Sequence, residues 1–173
     1  MKLKKIAAQT YLIEDLRLSF HNFWTAKAFQ AGQKEKFDGT FIMDPSTKEG
    51  KETLAKLISL ISDEVTKPVW PKGPPSNAPN YFMMKGNDKT TSSGEVRPEY
   101  EGKIILSAKS EKRPTLINRD KSPVVEQDGV FYSGCRVNAI FRVYAVSKKN
   151  PCIAAELKGV QFLRDDEAFG AAP

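Results

Sequence analysis

The chain has 173 residues, 40% of them hydrophobic, 10% aromatic and 28% charged, which is the balance of one well-filled globular domain and not of a disordered or membrane-embedded chain. No apolar run approaches the roughly 20 residues a membrane helix needs, and the N-terminus MKLKKIAAQTYLIEDL reaches acidic residues before a secretory core can form; a single domain over 1–173, acting in the cytoplasm, is expected. Net charge is +6, from 27 basic and 21 acidic residues, which favours polyanionic partners.

The first predicted strand is Leu16 to Phe20, where Leu16, Leu18 and Phe20 alternate with Arg17 and Ser19. A loop holding Phe23 and Trp24 follows. The second strand is Lys36 to Met43, with Phe37, Phe41 and Met43 on one side of the pleat and Gly39 marking a bulge or sharp bend. In DPSTKEGKETLAKLISLISDEVTK, Ser46 and Glu49 have capping-box spacing, and Leu54, Leu57, Ile58, Ile61 and Val65 form one apolar stripe. That is a core-packing helix. From about 68 to 101 periodicity gives way to a long loop rich in Pro, Gly, Ser and Asn. It nevertheless carries Trp70, Tyr81, Phe82 and Tyr100 among lysines, a pattern of a functional loop. Strand alternation resumes at Lys103 to Lys109, with Ile104, Leu106 and Ala108 inward, and the basic corner KSEKRP leads to a short strand at Thr115 to Ile117. Asp128-Gly129 marks a turn before Val130, Phe131 and Tyr132.

The segment GCRVNAIFRVYAV, Gly134 to Val146, is the most informative. Cys135, Val137, Ala139, Phe141, Val143 and Ala145 are apolar, while Arg136, Asn138, Ile140, Arg142 and Tyr144 occupy the other face. Guanidinium groups interleaved with an aromatic ring suit phosphate neutralisation and base stacking, although an ordinary half-exposed antiparallel strand has the same alternation. A last strand runs from about Ile153 to Arg164, broken near Gly159. Positive charge gathers at Lys2, Lys4 and Lys5, at Lys109, Lys112 and Arg113, and at Arg119, Lys121, Arg136 and Arg142, apart from the acidic Asp165, Asp166 and Glu167. Five or more strands and one helix after the second strand predict a mainly β, OB-type Greek-key barrel, with a decorated β-sandwich as the alternative.

Neither cysteine, Cys135 or Cys152, lies in a CxxC motif, and His21 is the sole histidine; zinc sites, disulfide frameworks and cofactors are not expected. No Walker loop or hydrolytic triad is present, so no enzyme is expected. A magnesium nuclease built on Asp165, Asp166 and Glu167 is the weak enzymatic alternative.

YSGCRVNAIFRVYAVSKKNPCIAAELKGVQFLRDDEAFG, AKSEKRPTLINRD, LRLSFHNFWTAKAF and FDGTFIMDPSTKE, in this order, resemble a bacteriophage family of single-stranded DNA-binding proteins long filed under an unknown-function label. The resemblance implies an OB-fold protein that coats single-stranded DNA in phage replication or recombination without sequence preference. Proteins of this class commonly end in an acidic tail closed by an aromatic residue, which recruits replication proteins; this chain ends DDEAFGAAP and departs from that pattern. From alternation and composition, the expected phosphate contacts are Lys103, Lys109, Lys112, Arg113, Arg136 and Arg142, and the stacking candidates are Trp70, Tyr81, Phe82, Tyr100, Tyr132 and Tyr144. Phe37, Phe41 and Phe141 are assigned to packing. An exposed strand edge would allow self-association, and a duplex or RNA binder or a phage assembly protein is the competing reading.

Overall fold

Alternating apolar positions build the wall of a closed barrel in the computed structural model, which describes residues 2–28 and 30–170. The strands are β1 (Leu3–Ala7), β2 (Thr10–Lys27), β3 (Lys36–Met43), β4 (Met83–Lys85), β5 (Ile104–Ser110), β6 (Thr115–Ile117), β7 (Arg136–Val146) and β8 (Cys152–Arg164). β2 pairs antiparallel with β3 on one side and β7 on the other, β3 with β5, and β7 with β8. A parallel contact between β5 and β8, at Lys109 opposite Glu156, closes the five strands. β1 extends β2, β4 extends β5, and β6 lies parallel on β8. This is the OB-type closure expected from the strand count, and it leaves no place for two separate sandwich sheets.

The interior is filled by Tyr11, Ile13, Leu16 and Leu18 from β2, Phe41 and Met43 from β3, Leu106 from β5, and Val137, Ala139, Phe141 and Val143 from β7. Phe141 stands edge-on to Phe41, with centroids 5.3 Å apart and planes at 85°, and Phe82 tilts against it at 5.2 Å. Each such pair adds about 0.5–1.5 kcal/mol beyond area burial. Cys135 is fully buried in the same cluster, and that burial pushes its thiol pKa up.

Strand β2 is much longer than the predicted Leu16–Phe20, and Phe23 and Trp24 lie within it, not in a loop. Register shifts, two against β3 and one against β7, explain why its pattern is broken. The register with β7 shifts between Ile13 and Leu16, where Asp15 adopts φ +60 and its amide donates to the Asn138 side chain at 2.9 Å. The register with β3 shifts between Leu18 and His21, so that Ser19 is buried and Phe20 is exposed. On the β5 side Gly39 leaves the pairing of β3 unbroken, but against β2 it sits opposite His21, where the register shift after Leu18 ends. Its role is space: a Cβ there would come within 2.8 Å of the Phe41 ring and 3.1 Å of Phe23.

The helix α1 (Lys48–Ile61) is capped by Thr47, whose Oγ1 accepts from the Gly50 amide at 3.0 Å, and not by Ser46 as its spacing with Glu49 implied. The buried side is Thr53, Leu57 and Ile61, continuing to Val65, while Ile58 of the predicted stripe is exposed. A π-helical turn, Ser62–Thr66, carries the rod into α2 (Lys67–Val69), and the extra residue per turn shifts the helical face. Glu64 in that turn accepts from the Tyr11 hydroxyl at 2.7 Å and pairs with Lys5, tying the rod to β1 and β2.

Candidate nucleic-acid interface

The outer face of β2, β3 and β5 carries one exposed ring, Phe20, which is 46% accessible. The register shift that flips it outward also places it beneath Arg97, whose guanidinium lies 4.6 Å from the ring centroid. Neighbouring positions carry charge. Asp38 pairs across the sheet with both Asn22, whose amide donates to it at 2.6 Å, and Lys109. Burial lowers the Lys109 pKa; Asp38 opposes that, and repulsion from Lys36 and Lys89 adds to it. Three ammonium groups around one carboxylate leave a positive excess beside the ring.

At the neighbouring end of the barrel Arg113 is held by carbonyls, its Nε donating to Phe23 O at 3.1 Å and its Nη2 to Trp24 O at 2.7 Å. The same guanidinium lies 5.9 Å from the Trp24 ring and 5.4 Å from Phe37. Lys112 is exposed beside it, and its carbonyl accepts from Ser110.

Strands β7 and β8 form another patch. Arg142 donates to Glu156 at 3.2 Å, and its guanidinium sits 5.2 Å from the half-buried Tyr144 ring, whose hydroxyl pKa is raised mainly by burial. Lys158 also reaches Glu156, at 3.4 Å. Beyond this, Lys148, Lys149 and Asn150 form an exposed turn between the strands, with Lys149 and Asn150 in the left-handed region. Tyr81, 61% exposed, lines an open groove of about 450 Å³ with Asn77, Pro79, Asn150 and Pro151.

Arg136 stands elsewhere. Its Nε donates to Asp166 at 2.8 Å, and Arg17 approaches the same carboxylate oxygen at 3.4 Å. Arg17 also donates to the backbone carbonyls of Gly134 and Glu167, and its guanidinium covers the Phe169 ring at 4.0 Å. Tyr132 donates to Asp165 at 2.8 Å. The acidic segment therefore folds back as a strap over Arg17, Arg136 and Tyr132. This corrects the reading that opposite charges are kept apart; sequence distance of about thirty residues hid the contact. Of the extension expected at 165–173, residues 171–173 lie outside the described residues.

The structure removes Phe82 and Tyr100 from the stacking candidates. Phe82 is fully buried against Phe141. Tyr100 is 1% exposed, packs on Ile42 and Ile105, and shares a 2.6 Å hydrogen bond with Ser19. Both pin the long loop to the barrel. Trp70, at the end of α2, is half-buried against the core. Lys103 is half-buried near Asp44, at 3.9 Å. Of the twelve predicted side chains, Lys109, Lys112 and Arg113 fall near one another, Arg142 and Tyr144 form a pair, and Arg136 and Tyr132 lie under the strap. Phe20, Arg97, Lys36, Lys89 and Trp24 are not among those twelve.

Five strands closed in the order β2-β3-β5-β8-β7, with Arg97 laid over the exposed Phe20 ring on the outer wall, define the OB-barrel class of binding proteins. Residues 9–173 match the family described as Enterobacter phage Enc34, ssDNA-binding protein, and the chain belongs to that family. Its fold is similar to the single-stranded DNA-binding protein from bacteriophage Enc34 in complex with ssDNA, with a TM-score of 0.73, 22% identity and 96% of each chain covered. It is also similar to gp2.5, a single-stranded DNA-binding protein encoded by bacteriophage T7, with a TM-score of 0.57, 6% identity, and 95% of this chain and 96% of that one covered. At these identities the likeness is one of fold. Protein p50 of Acyrthosiphon pisum secondary endosymbiont phage 1 is 41% identical over 93 residues, which are 54% of this chain and 48% of that protein, about half its length.

Proposed function

We propose that this protein binds single-stranded DNA without sequence preference and protects it during phage replication or recombination. Membership of the phage ssDNA-binding family supports the ligand class. The observation that carries the mechanism is Phe20, an exposed ring on the barrel wall under Arg97 and beside the Lys36, Lys89 and Lys109 cluster. Flat rings accept any base, and cations follow the backbone, so affinity arises without reading base edges. Tyr144 with Arg142, and Tyr81 near Lys148 and Lys149, would extend the same chemistry along the strand.

Catalysis has no comparable support. The Asp165 and Asp166 carboxylates are engaged by Tyr132 and by Arg136 and Arg17. Among the described residues no group of three or more His, Cys, Asp or Glu is placed to hold a metal ion, and no helix is long and apolar enough to cross a membrane. The test is anisotropy titration of a labelled single strand with the matching duplex as competitor across a salt series. Binding that duplex does not displace is expected. Equal competition would move the assignment to a general polyanion surface, because duplex phosphates attract cations equally well but hide the base faces.

A further inference from the structure

Beside Trp24 lies a groove of about 340 Å³ walled by Pro114, Leu116, Val124 and Val125. Its size is at the lower end of small-ligand sites. Arg113 lines its rim, and three observations make this guanidinium unusual in the molecule. It is fixed by two backbone carbonyls, at 3.1 Å and 2.7 Å. It is stacked near two rings, Trp24 and Phe37. Among the described residues no carboxylate is in ion-pair contact with it, whereas Arg136 faces Asp166 and Arg142 faces Glu156. Carbonyl oxygens orient a guanidinium without cancelling its charge, so the group is preset for an incoming anion.

We infer that this groove is a nucleotide subsite, in which one base of a bound strand lies on the Trp24 indole and its phosphate meets Arg113. The inference rests on the single-strand reading and adds a position that reading does not need. The occupant follows from the chemistry. An apolar wall with an indole suits a flat ring, and an uncompensated guanidinium suits a phosphate. Glu126 and Gln127 also line the groove. A carboxylate repels phosphate, so the anion belongs at Arg113 and the base edge faces Glu126 and Gln127. The groove also continues the front face: Phe37 pairs across the sheet with Ser110, and the next pair along is Asp38 with Lys109.

Two tryptophans, Trp24 and Trp70, make the test direct. In a Trp70→Phe background Trp24 is the sole indole reporter, and unlabelled oligo(dT) is titrated while a labelled oligo(dT) reports binding by anisotropy. The expected result is quenching of Trp24 emission with the same midpoint as the anisotropy change. Arg113→Ala should lower the logarithmic salt slope by about 0.7, and Arg113→Lys should restore it. Trp24→Ala should weaken binding about 5- to 150-fold. Anisotropy that saturates while Trp24 emission stays constant would overturn the subsite and leave the single-strand reading standing. Absence of binding by the wild-type chain at low salt would overturn both.

Discussion

Replacing Phe20 by Ala should separate recognition from folding. The ring is 46% exposed on the barrel wall and the Arg97 guanidinium lies over it. An exposed cation–π contact is worth about 0.5–1 kcal/mol, so the loss in stability should be about 1 kcal/mol, or roughly 2–4 °C in Tm for a chain of this size. A base stack is worth about 1–3 kcal/mol, so single-strand affinity should fall about 5- to 150-fold at fixed salt, by a similar factor for oligo(dT), oligo(dC) and mixed sequence. Phe82→Ala supplies the opposite pattern. It empties a fully buried site against Phe141 and should cost about 3–5 kcal/mol, lowering Tm by roughly 6–20 °C. Anisotropy titrations paired with thermal melts measure both variants. If Phe20→Ala kept affinity within twofold of wild type, the argument that the outward flip of this ring serves the ligand would be wrong.

The strap should respond to acid. The hydrogen bond from Arg136 is the main cause holding the Asp166 carboxyl below its usual range. A carboxyl depressed on folding stabilises above its unfolded value and loses that contribution as pH falls through the folded one, so Phe169 should leave Arg17 only at strongly acidic pH. Phe169 ring proton shifts report this, and Asp166→Asn should remove the pH dependence; shifts that stay constant down to global unfolding would count against it. Gly39→Ala should cost about 1–3 kcal/mol by driving a methyl into Phe41 and Phe23, read as a lower denaturant midpoint at unchanged slope. Thr47→Ala should cost about 1 kcal/mol and Ser46→Ala less, because Thr47 is the residue that caps α1.

Local patterns were legible wherever neighbours in sequence decide the outcome. Lys36–Met43 and Thr115–Ile117 match their predicted bounds residue for residue, because each is a regular strand bounded by turn chemistry. β2 was not, since its register shifts, two against β3 and one against β7, break the period of two on which alternation depends. Strict alternation puts Phe20 on the apolar side for that reason and hides the exposed ring of the candidate interface. Tyr100 and Phe82 mislead in the opposite sense: aromatic residues in an aperiodic loop look available, and only the folded loop shows them pinned against the barrel. Arg136 and Asp166 form a pair that only tertiary folding could join.

The joint between β5 and β8 has a consequence for motion. Antiparallel pairing runs along β7 and β8 from Arg136 to Val146, yet β5 and β8 themselves meet at the single aligned pair of Lys109 and Glu156, between the Asn80–Ile153 bridge and the short β6 pairing. Such a cylinder resembles a rolled sheet with a seam, and thermal opening should begin there. Amide protons of β8 facing β5 are expected to exchange with solvent sooner than those facing β7, so the wall that bears Lys109 can breathe while the β2-β7-β8 wall stays shut.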